Sequence, residues 1–147
     1  MQIEKFNLRQ FILIALVTSI WINASEIFRY FVFVMPMTKD YWQAANQAVA
    51  EMNVVVFSIW GLWDILLTGV LVFVVWLYGQ VFGSSMKSIL TSATLVWAAV
   101  FVIFWVASAN MGLSNWEILL VALPLSWIEM VIGGWIATRL YDSGRWA

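Results

Sequence analysis

The chain contains no cysteine and no histidine. Without cysteine there is no disulfide, no thiol nucleophile and no thiolate metal ligand; without histidine there is no imidazole metal site and no haem held through that ring. The residue that most often serves as a general base near neutral pH is also missing. Carboxylates, lysine, tyrosine and hydroxyls remain, and they show no nucleophile–base pairing. An enzyme is therefore not expected, and no catalytic residue, metal or cofactor is assigned.

Charge is equally scarce, at 10% of residues, and Lys+Arg (7) nearly balance Asp+Glu (8). No basic excess is present to hold nucleic acid. The sequence is instead 64% hydrophobic, with a mean hydropathy of +0.92, which a water-soluble fold of this size could not solvate. The expected fold class is all-α: a polytopic membrane protein of four transmembrane helices in two antiparallel hairpins, forming a single membrane domain over residues 1–147.

The spans are expected at about 8–37, 53–82, 86–111 and 116–141, each long enough for the ~20 residues a bilayer requires. Pro36 is expected to end the first, and 38–52 reads as a short interfacial helix, with Tyr41, Trp42, Ala45, Val49 and Met52 on one face. The charged-then-apolar start resembles a secretory signal, but Ile22-Asn23-Ala24 is a poor small-x-small cleavage site, so a retained first span is expected. Gly83-Ser84-Ser85 supplies a stop and caps between spans two and three. Gly112 and the Ser-x-x-Glu box Ser114–Glu117 do the same between three and four. Gly133-Gly134, with Gly61 and Gly69, are expected to allow close helix approach. Lys5, Arg9, Lys87, Arg139 and Arg145 fall on one side and Lys39 on the other. The positive-inside rule then makes both termini cytoplasmic, with a prokaryotic inner membrane as the expected setting.

Within the apolar spans one stretch stands out, Thr18–Tyr30. Ser19, Asn23, Glu26 and Arg29 or Tyr30 recur at helical spacing and form a polar stripe. Ionisable groups in hydrocarbon cost at least ~2.5–3.5 kcal/mol each, so the stripe must face other helices or a water-filled cavity. Two more acids sit deep in other spans. At ~1.5 Å per residue, Asp64 lies ~18 Å from Met52, Glu129 ~20 Å from Trp116 and Glu26 ~14 Å from Met35. Three carboxylates are thus expected at similar depth, with Arg29 as their one counter-charge. The resulting surplus of negative charge suits a bound proton or cation. Glu26, Asp64, Glu129, Arg29 and Asn23 are the candidate ion, proton or substrate-binding residues.

Of the eleven tryptophans, Trp21, Trp60, Trp63, Trp97, Trp105, Trp127 and Trp135 lie inside spans. Trp60, Trp63 and Trp127 are the candidate aromatic lining, some indoles being expected to donate to the carboxylates and most to pack. Arg29–Phe33 with Pro36 and Asp40 resembles the first-loop pattern of the small four-helix subunit of TRAP transporters, but the basic second helix of that pattern is missing. Small multidrug transporters are similar in parts, through a membrane Glu in the first of four helices. No family is assigned on these stretches. The expected function is a small oligomeric transport protein, a proton- or cation-coupled carrier or channel. The alternative is a non-catalytic accessory subunit. The expected partners are the lipid bilayer and either further copies of the chain or a larger membrane complex.

Overall fold

The computed structural model of the protein describes residues 5–47, 52–144 and 146. The described residues form four helices long and apolar enough to cross a membrane: α1 (Leu8–Ala44), α2 (Val54–Phe82), α3 (Met86–Asn110) and α4 (Trp116–Asp142). Each start is fixed by a polar side chain that satisfies otherwise unpaired amides. Asn7 accepts from Gln10 N–H at 3.1 Å, and Asn53 accepts from Val55 and Val56 N–H, each at 3.0 Å. Ser85 accepts from Ser88 N–H at 3.2 Å and Asn115 from Glu117 N–H at 3.2 Å. The expected box at Ser114 is therefore corrected by one residue: Asn115 is the cap, and the Ser114 hydroxyl is buried without a hydrogen-bond partner.

A larger correction concerns Pro36, which does not end the first helix. α1 runs on to Ala44 through a π-helical turn at Tyr30–Val34, in which Met35 N–H reaches back to Tyr30 O. Proline within a helix removes one amide donor and drives its ring against the carbonyl four residues earlier. The wider turn immediately before it relieves that crowding, so the chain stays helical. Residues 38–44, expected in a separate interfacial helix, instead prolong α1, whose 37 residues make it ~55 Å long at 1.5 Å each. Tyr41, near its end, donates to Gly112 O at 2.9 Å and ties α1 to the turn between α3 and α4. Residues 48–51 of that expected segment, and Arg145, lie outside the described residues.

α4 packs against all three other helices, and at Gly133-Gly134 side chains of all three come close to it. A Cβ on Gly133 would stand 3.0 Å from both Ile22 Cδ1 and Leu71 Cδ2. One on Gly134 would stand 3.6 Å from Ile89 Cγ2 and Val75 Cγ2. Around this point Ile14, Ile22, Leu71, Val72, Met130 and Ala137 are completely buried. Gly61 and Gly69 differ from expectation, since a Cβ on either would meet nothing within 4 Å.

Three indoles then fasten the bundle. Trp21 donates to Glu129 O at 3.1 Å, Trp97 to Leu123 O at 2.9 Å, and Trp127 to Thr94 Oγ1 at 2.9 Å. These bonds go to backbone carbonyls and a hydroxyl, where carboxylates were expected.

Gly133→Val forces two buried side chains aside and should lower stability by about 1–3 kcal/mol, whereas Gly69→Ala should raise it by up to about 1 kcal/mol through the loss of backbone freedom. Reversible denaturant unfolding of the two variants checks the contrast. Equal effects would contradict the close approach at Gly133.

Candidate functional site

The polar stripe of α1 faces inward where α1, α2 and α4 meet. Arg29 is 4% exposed, Asp64 is 4% exposed and Glu129 is completely buried. Arg29 pairs through Nη2 with Glu26, one turn before it, and its Nε stands 3.8 Å from Glu129 Oε2. A single guanidinium thereby joins an acid of its own helix to an acid of α4. Its Cζ also lies 5.2 Å from the centre of the Phe101 ring, close enough for the ring face to attract the cation.

Asp64 completes the group from α2 and interacts electrostatically with both Glu26 and Arg29. Glu129 interacts in turn with Glu26, Arg29 and Asp64. Three acids and one cation on three helices form one charge cluster. Asp64 Oδ1 is buried without a hydrogen-bond partner, while Glu129 is buried beside Ser25 and Glu26 with no well-formed hydrogen bond at either oxygen. Buried polar groups are nearly always satisfied, and an exception marks a place for a proton, an ion or water. Among the described residues, no three acids stand close enough together to share a metal ion.

Beside the cluster lies a cleft of about 510 Å³, within the usual range for small-molecule sites. Asn23, Glu26, Arg29 and Asp64 line it, as do Trp60 and Trp63. Six of the eight candidate site residues therefore share one cleft. Glu129 stands behind Arg29, outside the lining. Trp127 belongs elsewhere, with its indole on Thr94 of α3. Asn23 is held by its own helix, donating from Nδ2 to Ser19 O at 2.8 Å.

The walls also include residues outside the candidate set. Tyr30, Phe31 and Val34 come from the π-helical turn of α1, and Val100 and Phe101 from a second such turn at Ala98–Val102 of α3. Interruptions of this kind recur at functional sites because they re-aim side chains that a regular helix would spread around its axis. The first has a cause in Pro36. Nothing in Ala98–Val102 announces the second. Ser108 and Ser114 add two hydroxyls near the turn that ends α3.

Removing Arg29 leaves the buried Glu129 and the partly buried Glu26 without their counter-charge, so Arg29→Met should cost about 3–5 kcal/mol. Arg29→Met combined with Glu129→Gln should cost clearly less, because one of the stranded charges is then absent. Additive losses in this double-mutant cycle, read by denaturant unfolding, would contradict the pairing. Comparison of the chain with protein-family models, with curated proteins and with solved structures yields no match, so the geometry of the cleft carries the functional reading.

Proposed function

We propose that the protein is an integral membrane transport protein, a proton- or cation-coupled carrier or channel whose buried carboxylates take up the coupling ion. Support for insertion comes from the outer surface. Ile20, Ile59, Leu62, Ile65, Leu66, Ile103 and Leu120 are exposed side chains that water would not tolerate in such density. The contacts between α3 and α4 fall in opposite order along the two helices. Trp97 meets Leu123 and Ser126, while Ile89 and Ala93 face Gly134. This ordering supports antiparallel hairpins, with both ends of the chain on one face of the membrane. The basic residues of that face, Lys5, Arg9, Lys87 and Arg139, favour the cytoplasmic side of a prokaryotic inner membrane.

One observation carries the functional reading: Glu26 and Asp64, from different helices, line the same cleft, and Arg29 links that cleft to Glu129. Scattered acids would each need a separate structural explanation. Acids that share one cavity and one counter-charge can exchange a bound ion. With all three ionised the cluster would carry two uncompensated negative charges in apolar surroundings, which a proton or cation relieves. Four helices form a thin bundle, so the working unit is proposed to be a homo-oligomer or a larger membrane complex.

In liposomes containing the purified protein, proton or cation flux should be measurable and pH-dependent. Asp64→Asn should reduce it to the rate of empty vesicles while leaving thermal unfolding nearly unchanged. Wild-type flux retained in Asp64→Asn would remove the cleft from the mechanism. Absence of flux from folded wild-type protein would favour the accessory-subunit role.

A further inference from the structure

A second cavity, of about 530 Å³, lies at the opposite end of the bundle, and none of the candidate site residues lines it. Gly83 and Ser84 of the α2–α3 turn, Gln10 of α1 and Gly144 beyond α4 mark its mouth. Its inner wall is unusual for a helix bundle of this composition. Ser88 and Ser92, one turn apart on α3, face Thr138 and Tyr141, one turn apart on α4. Ser88, Ser92 and Thr138 are each more than nine-tenths buried. The Tyr141 hydroxyl is buried with no hydrogen-bond partner. Four hydroxyls have thus been gathered on one cavity wall, and one of them has unmet bonding capacity.

Lys5, Arg9, Lys87 and Arg139 stand on the same face of the bundle but are not among the residues that line the cavity itself. Asp142 lines the cavity, and no Lys or Arg does so among the described residues. Hydroxyl oxygens and a carboxylate favour water and small cations over anions.

The position relative to the carboxylate cleft adds a second argument. α2 contributes Asp64 to the cleft and Val75 to the second cavity; α3 contributes Val100 and Ser92 respectively. Those separations correspond to ~16 Å and ~12 Å along the helix axes. Between the two cavities lies an apolar, fully buried layer of Ile22, Leu71 and Met130, with Ile22 and Leu71 closed on Gly133. Within it the Thr18 hydroxyl is completely buried and has no partner.

We propose that the hydroxyl-lined cavity is a water-filled, cation-selective vestibule, the second mouth of the path whose first mouth is the carboxylate cleft. The pairing of the two mouths rests on the transport reading, while the vestibule itself can be tested without it. The chain lacks cysteine, so any introduced thiol is the only one present. In vesicles of known orientation, Ser92→Cys should react with the cationic reagent methanethiosulfonate ethyltrimethylammonium added on the side of the chain termini. It should react about tenfold or more slowly with the anionic ethylsulfonate analogue. Thr138→Cys should behave in the same way, and Ser108→Cys should react only from the opposite side.

The vestibule is overturned if Ser84→Cys at the rim reacts while Ser92→Cys and Thr138→Cys, both folded by thermal unfolding, do not. Equal or faster reaction with the anionic reagent overturns its cation selectivity. Side-specific labelling of a protein that carries no ion flux supports the vestibule as a site and refutes the transport reading alone.

Discussion

A guanidinium that keeps its charge even when buried is the constraint around which this molecule is arranged. Arg29 is 4% exposed in a chain that is 64% hydrophobic. Such a group must have counter-charges close by, and the fold supplies them from two directions, Glu26 on its own helix and Glu129 on α4. Asp64 joins from α2 at the edge of the same cleft. Together these groups require α1, α2 and α4 to meet at one depth, and the packing beneath them accomplishes this. Gly133 lets α4 approach Ile22 and Leu71, while Trp21 bonds the backbone of Glu129 itself. The indole therefore holds in place the helix segment that carries the acid.

The cleft and the second cavity differ in chemistry in a way that follows from where they lie. The cleft has aromatic walls with charge at its base. The second cavity has hydroxyl walls with an acid at its rim. Between them the core is apolar apart from the hydroxyls of Thr18, which has no partner, and Thr68, which donates to Asp64 O. Under the proposed transport function, that layer would keep the two cavities from opening to both sides at once and dissipating the gradient.

Much of this was legible in the residues. Apolar run length placed both ends of α2, α3 and α4 to within one residue, and the start but not the end of α1, because nothing else in the chain competes with a bilayer-length hydrophobic stretch. The candidate acids and Arg29 were legible because ionisable residues are so rare in such runs that each one signals a requirement. Lateral convergence was not legible, since it depends on how each helix is rotated about its axis. The fate of α1 beyond Pro36 was hidden for a local reason: proline usually stops a helix, and only the π-helical turn at Tyr30–Val34 allows it to continue. Ser114 was mistaken for a cap because its neighbour Asn115 competes for the same role. The hydroxyl wall left a faint trace in Ser88 and Ser92, spaced one helical turn apart. Hydroxyls in apolar helices also bond their own backbone, as Thr68 does with Asp64 O, so spacing alone could not separate a cavity wall from an ordinary helix face.

The account stands or falls on whether Arg29, Glu26, Glu129 and Asp64 act as one coupled unit. Difference infrared spectroscopy of the reconstituted protein during pH cycling, following the carboxyl C=O stretch, tests this directly. Replacing any one acid by its amide should shift the titration of the bands that remain, as expected of groups that share protons. Loss of one band with the others titrating unchanged would mean three independent carboxylates, and the cleft would then lose its claim to be a functional site.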